Sequence, residues 1–315
     1  MNRDDPVIQA PAPSDLTSRR DALRRLVVAG AALLGSPRTG VAAPAEIQDM
    51  RGRRVVRSGP PARIVSLAPS MTEIAYALGA GTQLVGVTDF CDYPQDAKKK
   101  PRVGGIYTPN FEVILTLKPD LVLATSEGNR AEDVQALEDF HVPVFVVRPV
   151  DFASVLESIV RVGAVLGREE AARHLVAEMG SRADAIARAV GGAPRPRVLY
   201  VVWGNPLIVP GRDTLITDLI RRAGADSITG DEPTAYPRLS MEAVVARAPD
   251  WIIIGQHADM SVESRLREWR GLTLLPAVRQ GRVRAVEGDL VHRPGPRVVD
   301  GLAAIARIVH GERLP

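Results

Sequence analysis

One pattern occurs twice along this chain of 315 residues, and it restricts the fold more than any single residue does. In the first half a β-rich run, Arg63-Ile64-Val65-Ser66-Leu67, follows Pro60-Pro61. A helical stretch from Thr72 to Leu78 closes on Gly79-Ala80-Gly81, and Leu84-Val85-Gly86-Val87 reads as a second strand. Asn110-Phe111-Glu112 then opens a helical run ending at Lys118-Pro119-Asp120, and Leu121-Val122-Leu123-Ala124 is the next strand. The second half repeats the order: strand Arg197 to Val202, helix Leu215 to Arg222, closing Ala223-Gly224-Ala225, helix from Ser240-Met241-Glu242 to Pro249-Asp250, strand Trp251 to Ile254. In each half a Glu stands seven residues before a Pro-Asp that punctuates helix into strand. Short strands apolar at consecutive positions, alternating with helices, predict parallel sheets covered on both faces. The expected fold class is α/β, with two Rossmann-like lobes and a ligand cleft between them.

Between the halves the helical pattern is continuous. Phe152 to Leu166 reads as one helix, broken by Gly167. Arg168 to Val190 reads as a second, with Ala172, Leu175, Met179, Ala183, Ile186 and Val190 spaced three or four apart. At about 1.5 Å per residue, this long helix is a backbone about 34 Å in extent joining the lobes, and it should permit only small lobe movements. The expected organisation is residues 1–45 an export signal, 46–150 the N-terminal lobe, 151–192 the helical connection and 193–315 the C-terminal lobe.

The first 45 residues do not follow the fold pattern. Arg19-Arg20 and Arg24-Arg25 precede an apolar stretch from Leu26 to Leu34, and Ala43-Pro44-Ala45 fits a cleavage site. Paired arginines suggest the twin-arginine route. The apolar stretch is far shorter than the roughly twenty residues a membrane span needs. No cysteine follows it, which argues against a lipid-anchored lipoprotein and for a soluble protein retained in a periplasm. Once residues 1–45 are removed the chain carries 34 basic and 33 acidic residues, which is no nucleic-acid signature. The single cysteine, Cys91, excludes an internal disulfide framework and reads as a small buried hydrophobe.

Signs of catalysis are few. The histidines, His141, His174, His257, His292 and His310, show no metal-ligand spacing, and no nucleophile elbow or phosphate-cradling loop occurs. Gly79-Ala80-Gly81 reads as a helix C-cap, His141 as part of a helix-to-strand turn, and Glu73 after Ser70 as a capping box. The chain is expected not to be an enzyme and to hold neither metal nor cofactor of its own.

Several segments carry a resemblance. Arg63 to Glu73, Val85 to Pro94, Val103-Gly104-Gly105, Asn110-Phe111-Glu112 and Leu117 to Val122 in the first half resemble the periplasmic substrate-binding proteins of ABC transporters for cobalamin, ferric siderophores and haem. So do Pro237 to Glu242 and Gly288 to Arg297 in the second. The Asp92-Tyr93-Pro94 and Arg293-to-Arg297 segments look most like the cobalamin-binding branch. The resemblance implies a monomer that captures a corrinoid and delivers it to a dimeric permease with its ATPase subunits. It carries permease docking onto Glu112 and Glu242, the pair the repeat singles out. Cleft walls carry over onto Phe90 and Tyr107 in the first lobe, and Trp203, Tyr236, Asp289, His292 and Arg293 in the second. Trp203 also follows a strand directly, the expected edge for a cleft. Ile106 and Thr125 stand where the cobalamin binder has tryptophans, so a less aromatic pocket is expected. His292 is further read as an axial ligand to cobalt or haem iron, as a partner for a ligand amide, or as a solvated loop histidine beside Arg293. Arg293 and Arg297 are read as partners for a ligand phosphate or carboxylate, with Arg297 rather an anchor of the loop or a cap of the last helix. The alternatives are a receptor for ferric siderophore or haem, a two-lobed α/β enzyme, and a ligand-sensing partner of a signalling receptor.

Overall fold

The structure is a computed structural model and describes residues 45–57, 59–256 and 261–311. The expected export signal lies outside the described residues, save that Ala45 opens the first strand; His257 lies outside them too.

Strands β1 (Ala45–Gln48) and β2 (Arg54–Arg57) form an antiparallel hairpin that the sequence reading did not anticipate. Strands β3 (Ile64–Ser66), β4 (Leu84–Val87), β5 (Leu121–Thr125) and β6 (Val144–Val147) make a parallel sheet in the order β4-β3-β5-β6. Strands β7 (Arg197–Val201), β8 (Asp226–Ser227), β9 (Trp251–Gln256) and β10 (Val283–Glu287) make a second, in the order β10-β9-β7-β8. In each sheet the first strand lies between the second and third, so the halves share one topology. That order reverses chain direction across the sheet between β3 and β5, and between β7 and β9. Such switch points open a crevice at the carboxyl ends of the strands.

Alternation along the strands explains how both faces are filled. Leu121 and Leu123 of β5 enter one core while Val122 and Ala124 enter another; Val198 and Tyr200 of β7 are likewise opposed to Leu199 and Val201. The inner faces of both sheets belong to a single core. It runs from Ile64, Ile74 and Phe145 through Ile159, Val162 and Met179 to Tyr200, Leu219 and Leu302. Each outer face has its own smaller core. The sheets are therefore held by a shared hydrophobic layer as well as by the chain that connects them.

That layer is the helical middle. Asp151 caps the Phe152–Leu166 helix: its Oδ1 accepts from the Ser154 N–H at 2.7 Å, and Ser154 Oγ accepts from the Asp151 N–H at 2.9 Å. Gly167 ends it at φ +66°, where a side chain would be strained. The Glu169–Val190 helix follows, with Ala172, Met179, Ala183, Ile186 and Val190 buried and Leu175 partly so. The two helices touch where Gly163 faces Ala172; a Cβ on Gly163 would sit 2.4 Å from that of Ala172.

Two smaller readings change. The Pro69–Ala77 helix starts from Ala68 with Pro69 in its first turn, so Ser70 is inside the helix and no capping box forms with Glu73. Cys91 is fully buried as expected, but its sulfur also meets the hydroxyls of Thr72 and Thr88 at 3.1 and 3.0 Å. Burial pushes its thiol pKa up. Gly79 (φ +74°) follows the helix C-cap, and His141 (φ +62°) turns the chain from the Ala131–Asp139 helix toward β6, as the sequence suggests.

Candidate ligand cleft

The carboxyl ends of the eight parallel strands deliver the expected site residues. Phe90 lies three residues beyond β4, Trp203 two beyond β7, and Asp289, His292 and Arg293 follow β10. Tyr107 and Tyr236 stand on the long loops that lead into the Phe111–Thr116 and Met241–Arg247 helices. Large rings are normally withdrawn from water. Here Phe90, Tyr93, Tyr107, Trp203 and Tyr236 are 57, 48, 64, 37 and 47 % exposed. Tyr93 is the ring that the sequence reading did not place in the site.

Tyr236 links the two walls. Its phenol is pushed up to about 12, first by burial and then by the negative charge of Glu127 and by Tyr107, both from the first lobe. Tyr236 is thus half exposed and near charged and polar groups of the first lobe. Trp203 is held by its own turn: Ile208 N–H donates to the Trp203 carbonyl at 2.9 Å, and the indole Nε1–H donates to the Asn205 carbonyl at 3.1 Å. The Arg265 guanidinium lies 5.3 Å from the Trp203 ring centroid, on the cation–π side of the indole.

Charge is concentrated where the lobes meet. Glu73, on the first helix of the first lobe, has a side chain only 2 % exposed. It accepts two hydrogen bonds from Arg297 of the second lobe, at 2.9 and 2.7 Å, and one longer contact from Arg293 at 3.4 Å. Arg293 Nη1 also donates to Asp92 at 2.6 Å, and its Nη2 pairs with Asp289 at 2.8 Å. Arg297 stacks 4.1 Å from the centre of the Tyr93 ring and reaches Glu287 at 3.6 Å. Asp92 titrates below the usual carboxylate range: burial alone would raise it, but Arg293 outweighs that.

Arg297 thus anchors its loop to Glu73 of the first lobe, in keeping with the expectation for it, and Arg293 is matched by carboxylates of the chain. His292 is held by its neighbours as well. Its Nε2 is 2.9 Å from the hydroxyl of the fully buried Tyr200, and its ring packs against Gly255, where a Cβ would meet Cε1 at 2.7 Å. That contact ties the Gly288–His292 helix to β7. Among the described residues no group of three His, Cys, Asp or Glu is placed to hold a metal. No helix among them is long and apolar enough to cross a membrane.

Glu112 and Glu242 are exposed in the first turns of corresponding helices. Asn110 Oδ1 accepts from Val113 N–H at 3.1 Å and Ser240 Oγ from Ala243 N–H at 3.2 Å, so the two helix starts are built alike. Each helix precedes a parallel strand and runs back along the sheet, which puts both carboxylates at the same end as the crevice. The Glu242 carboxyl is held below its usual range by its own backbone N–H and by the Ser240 hydroxyl.

Two parallel sheets of one topology, exposed rings just past their carboxyl ends or on the loops there, and ion pairs joining the two halves are the features of a two-lobed solute-binding protein. The chain belongs to the periplasmic binding protein family, whose profile matches residues 64–290. It is a substrate-binding component of an ABC transport system. The vitamin B12-binding protein of Pectobacterium carotovorum is 32 % identical over 241 residues, covering 76 % of this chain and 85 % of the relative. The solved periplasmic vitamin B12 binding protein of Vibrio cholerae superposes with a TM-score of 0.72 at 28 % identity, covering 79 % of this chain and 97 % of that one. A periplasmic heme-binding protein of Roseiflexus gives a TM-score of 0.72 at 27 % identity, covering 81 and 100 %.

Proposed function

We propose that the chain is exported to the periplasm by a signal in residues 1–45 that is then cleaved off, binds a cobalt corrinoid such as cobalamin as a soluble monomer, and hands it unaltered to a dimeric ABC permease. No catalysis is part of this reading, and the ATPase subunits of the partner supply the energy. The observation that carries it is the ring of exposed aromatics. Phe90, Tyr93 and Tyr107 on one wall and Trp203 and Tyr236 on the other offer flat apolar faces to a bulky planar ligand. Asp289, paired with Arg293 at 2.8 Å and 40 % exposed, offers carboxylate oxygen to a ligand amide. Relatives whose names state vitamin B12 binding support the choice of ligand. The shared core beneath the sheets supports capture by a nearly preformed crevice with limited closure. Glu112 and Glu242, exposed and alike in setting, are the residues this reading assigns to permease docking through arginines of the partner.

A second reading, a haem receptor, is favoured by the likeness to the heme-binding structure. Calorimetric titration of the purified chain separates the two. Cyanocobalamin should bind with submicromolar Kd, and haem or a ferric chelate much more weakly. Heat with haem and none with cyanocobalamin or cobinamide would overturn the corrinoid reading.

A further inference from the structure

Where the lobes meet, two guanidiniums face more carboxylates than they number. Arg293 and Arg297 face four carboxylates, Glu73, Asp92, Asp289 and Glu287, at 2.6 to 3.6 Å. Three of these carboxylates are partly or well exposed, at 46, 40 and 61 %: Asp92 from the first lobe, Asp289 and Glu287 from the second. The Arg293 side chain is only 14 % exposed. Its two Nη atoms are divided between the lobes. Nη2 stays with Asp289, one helical turn away on its own lobe, whereas Nη1 is taken by Asp92 from across the gap. Asp92 and Asp289 are both partly exposed, at 46 and 40 %, against 14 % for the guanidinium side chain that they hold.

We infer that Asp92 is a specificity-determining residue: by occupying Arg293 from the opposite lobe it denies a counter-ion to carboxylate-bearing ligands and reserves the cleft for a ligand whose periphery is neutral amide. The physical argument has two parts. A carboxylate on the ligand would have to displace Asp92 from Arg293 and then face Asp92, Asp289 and Glu73 as like charges, with partial desolvation making the repulsion stronger than in water. An amide brings an N–H donor that the surplus carboxylate oxygens of Asp92 and Asp289 can accept without any pair being broken. The inference rests on the solute-binding reading of the cleft and adds to it a rule for which of several flat chelates is admitted.

The test compares ligands of one shape and different charge. Cyanocobalamin and its monocarboxylic derivative, in which one peripheral amide is hydrolysed to a carboxylate, are titrated calorimetrically into the wild type, Asp92→Asn, Asp92→Ala and Asp96→Asn. Asp96 lies four residues away on the surface, paired with Lys99 at 2.7 Å, and its variant controls for a change of net charge alone. The wild type and Asp96→Asn should prefer the amide form by about tenfold or more, roughly 1.4 kcal/mol. Both Asp92 variants should narrow that ratio at least tenfold by gaining affinity for the acid form. A ratio that stays within twofold in both Asp92 variants overturns the inference while leaving the corrinoid reading intact. If the wild type binds neither corrinoid, the corrinoid reading fails on its own. The same ratio is then read with haem against its dimethyl ester, where a wild-type preference for the ester that Asp92→Asn abolishes sustains the inference. Failure to bind any of the four ligands overturns both.

Discussion

Replacing Glu73 by Gln keeps the shape of the buried side chain and removes its charge. In the folded protein this carboxylate is bonded twice to Arg297 and approached by Arg293, and it is almost fully buried. Breaking a buried ion pair from one side typically costs about 3–5 kcal/mol, because the remaining charge stays desolvated. Two features reduce that figure here. Arg293 keeps Asp92 and Asp289, so it is not orphaned. Arg297 keeps the Tyr93 ring and a distant Glu287, and such a cation–π contact is worth roughly 0.5–2 kcal/mol. The expected loss is therefore about 2–3 kcal/mol. With Tm moving roughly 2–4 °C per kcal/mol in domains of this size, the midpoint should fall by about 5–10 °C in calorimetry or far-UV circular dichroism. Glu73→Gln with Arg297→Met should recover much of the loss, since an apolar replacement of both partners leaves no uncompensated charge. A fall below about 2 °C for Glu73→Gln, or a double variant whose loss equals the sum of the two single ones, would refute the idea that this pair ties the lobes together.

The remaining expectations concern packing, pH and transport. Gly163→Ala drives a Cβ into Ala172 and should lower unfolding free energy by about 1–2 kcal/mol in urea, against the gain in helix propensity; unchanged or raised stability would show that the two middle helices separate freely. Asp218 lies in the second lobe and accepts from the Phe152 N–H at 3.0 Å; burial would raise its pKa, but Arg222, that N–H and Arg221 together hold it below the usual range. Its contribution is thus complete above the ordinary carboxylate pKa, about 4, and is lost as pH falls through the lowered value, so Asp218→Asn should flatten the acid limb of a stability-versus-pH curve; an unchanged acid limb counts against it. Glu112→Ala combined with Glu242→Ala should abolish ligand uptake by cells or reconstituted transporter while the calorimetric Kd stays within twofold. Uptake at the wild-type rate would remove these two residues from docking.

Much of the architecture is legible in the residue order because it depends on local patterning. Consecutive apolar residues at Leu121 to Ala124 and Trp251 to Ile254 are what strands buried on both faces require, and the structure forms β5 and β9 there. Asn110 and Ser240 announce helix starts through short-range bonds to backbone N–H groups three residues on, and both form as expected. Phe90, Tyr107 and Tyr236 are legible only through the family resemblance, and Trp203 also through its place just past a strand; all four rings are exposed.

What folding alone settles is which distant side chains share a charge. Glu73 and Arg297 are 224 positions apart, and in the chain their pairing leaves no spacing to read. A first-turn carboxylate near a serine suggests a local cap, yet Pro69 occupies the first turn and the carboxylate is buried against the other lobe instead. His292 looks like a free loop imidazole until Tyr200, 92 positions earlier, takes its Nε2. The periodicity of apolar residues is a property of neighbours and survives in the linear text; the pairing of buried charges is decided by which surfaces two folded sheets bring within hydrogen-bond reach, and desolvation makes those pairings count.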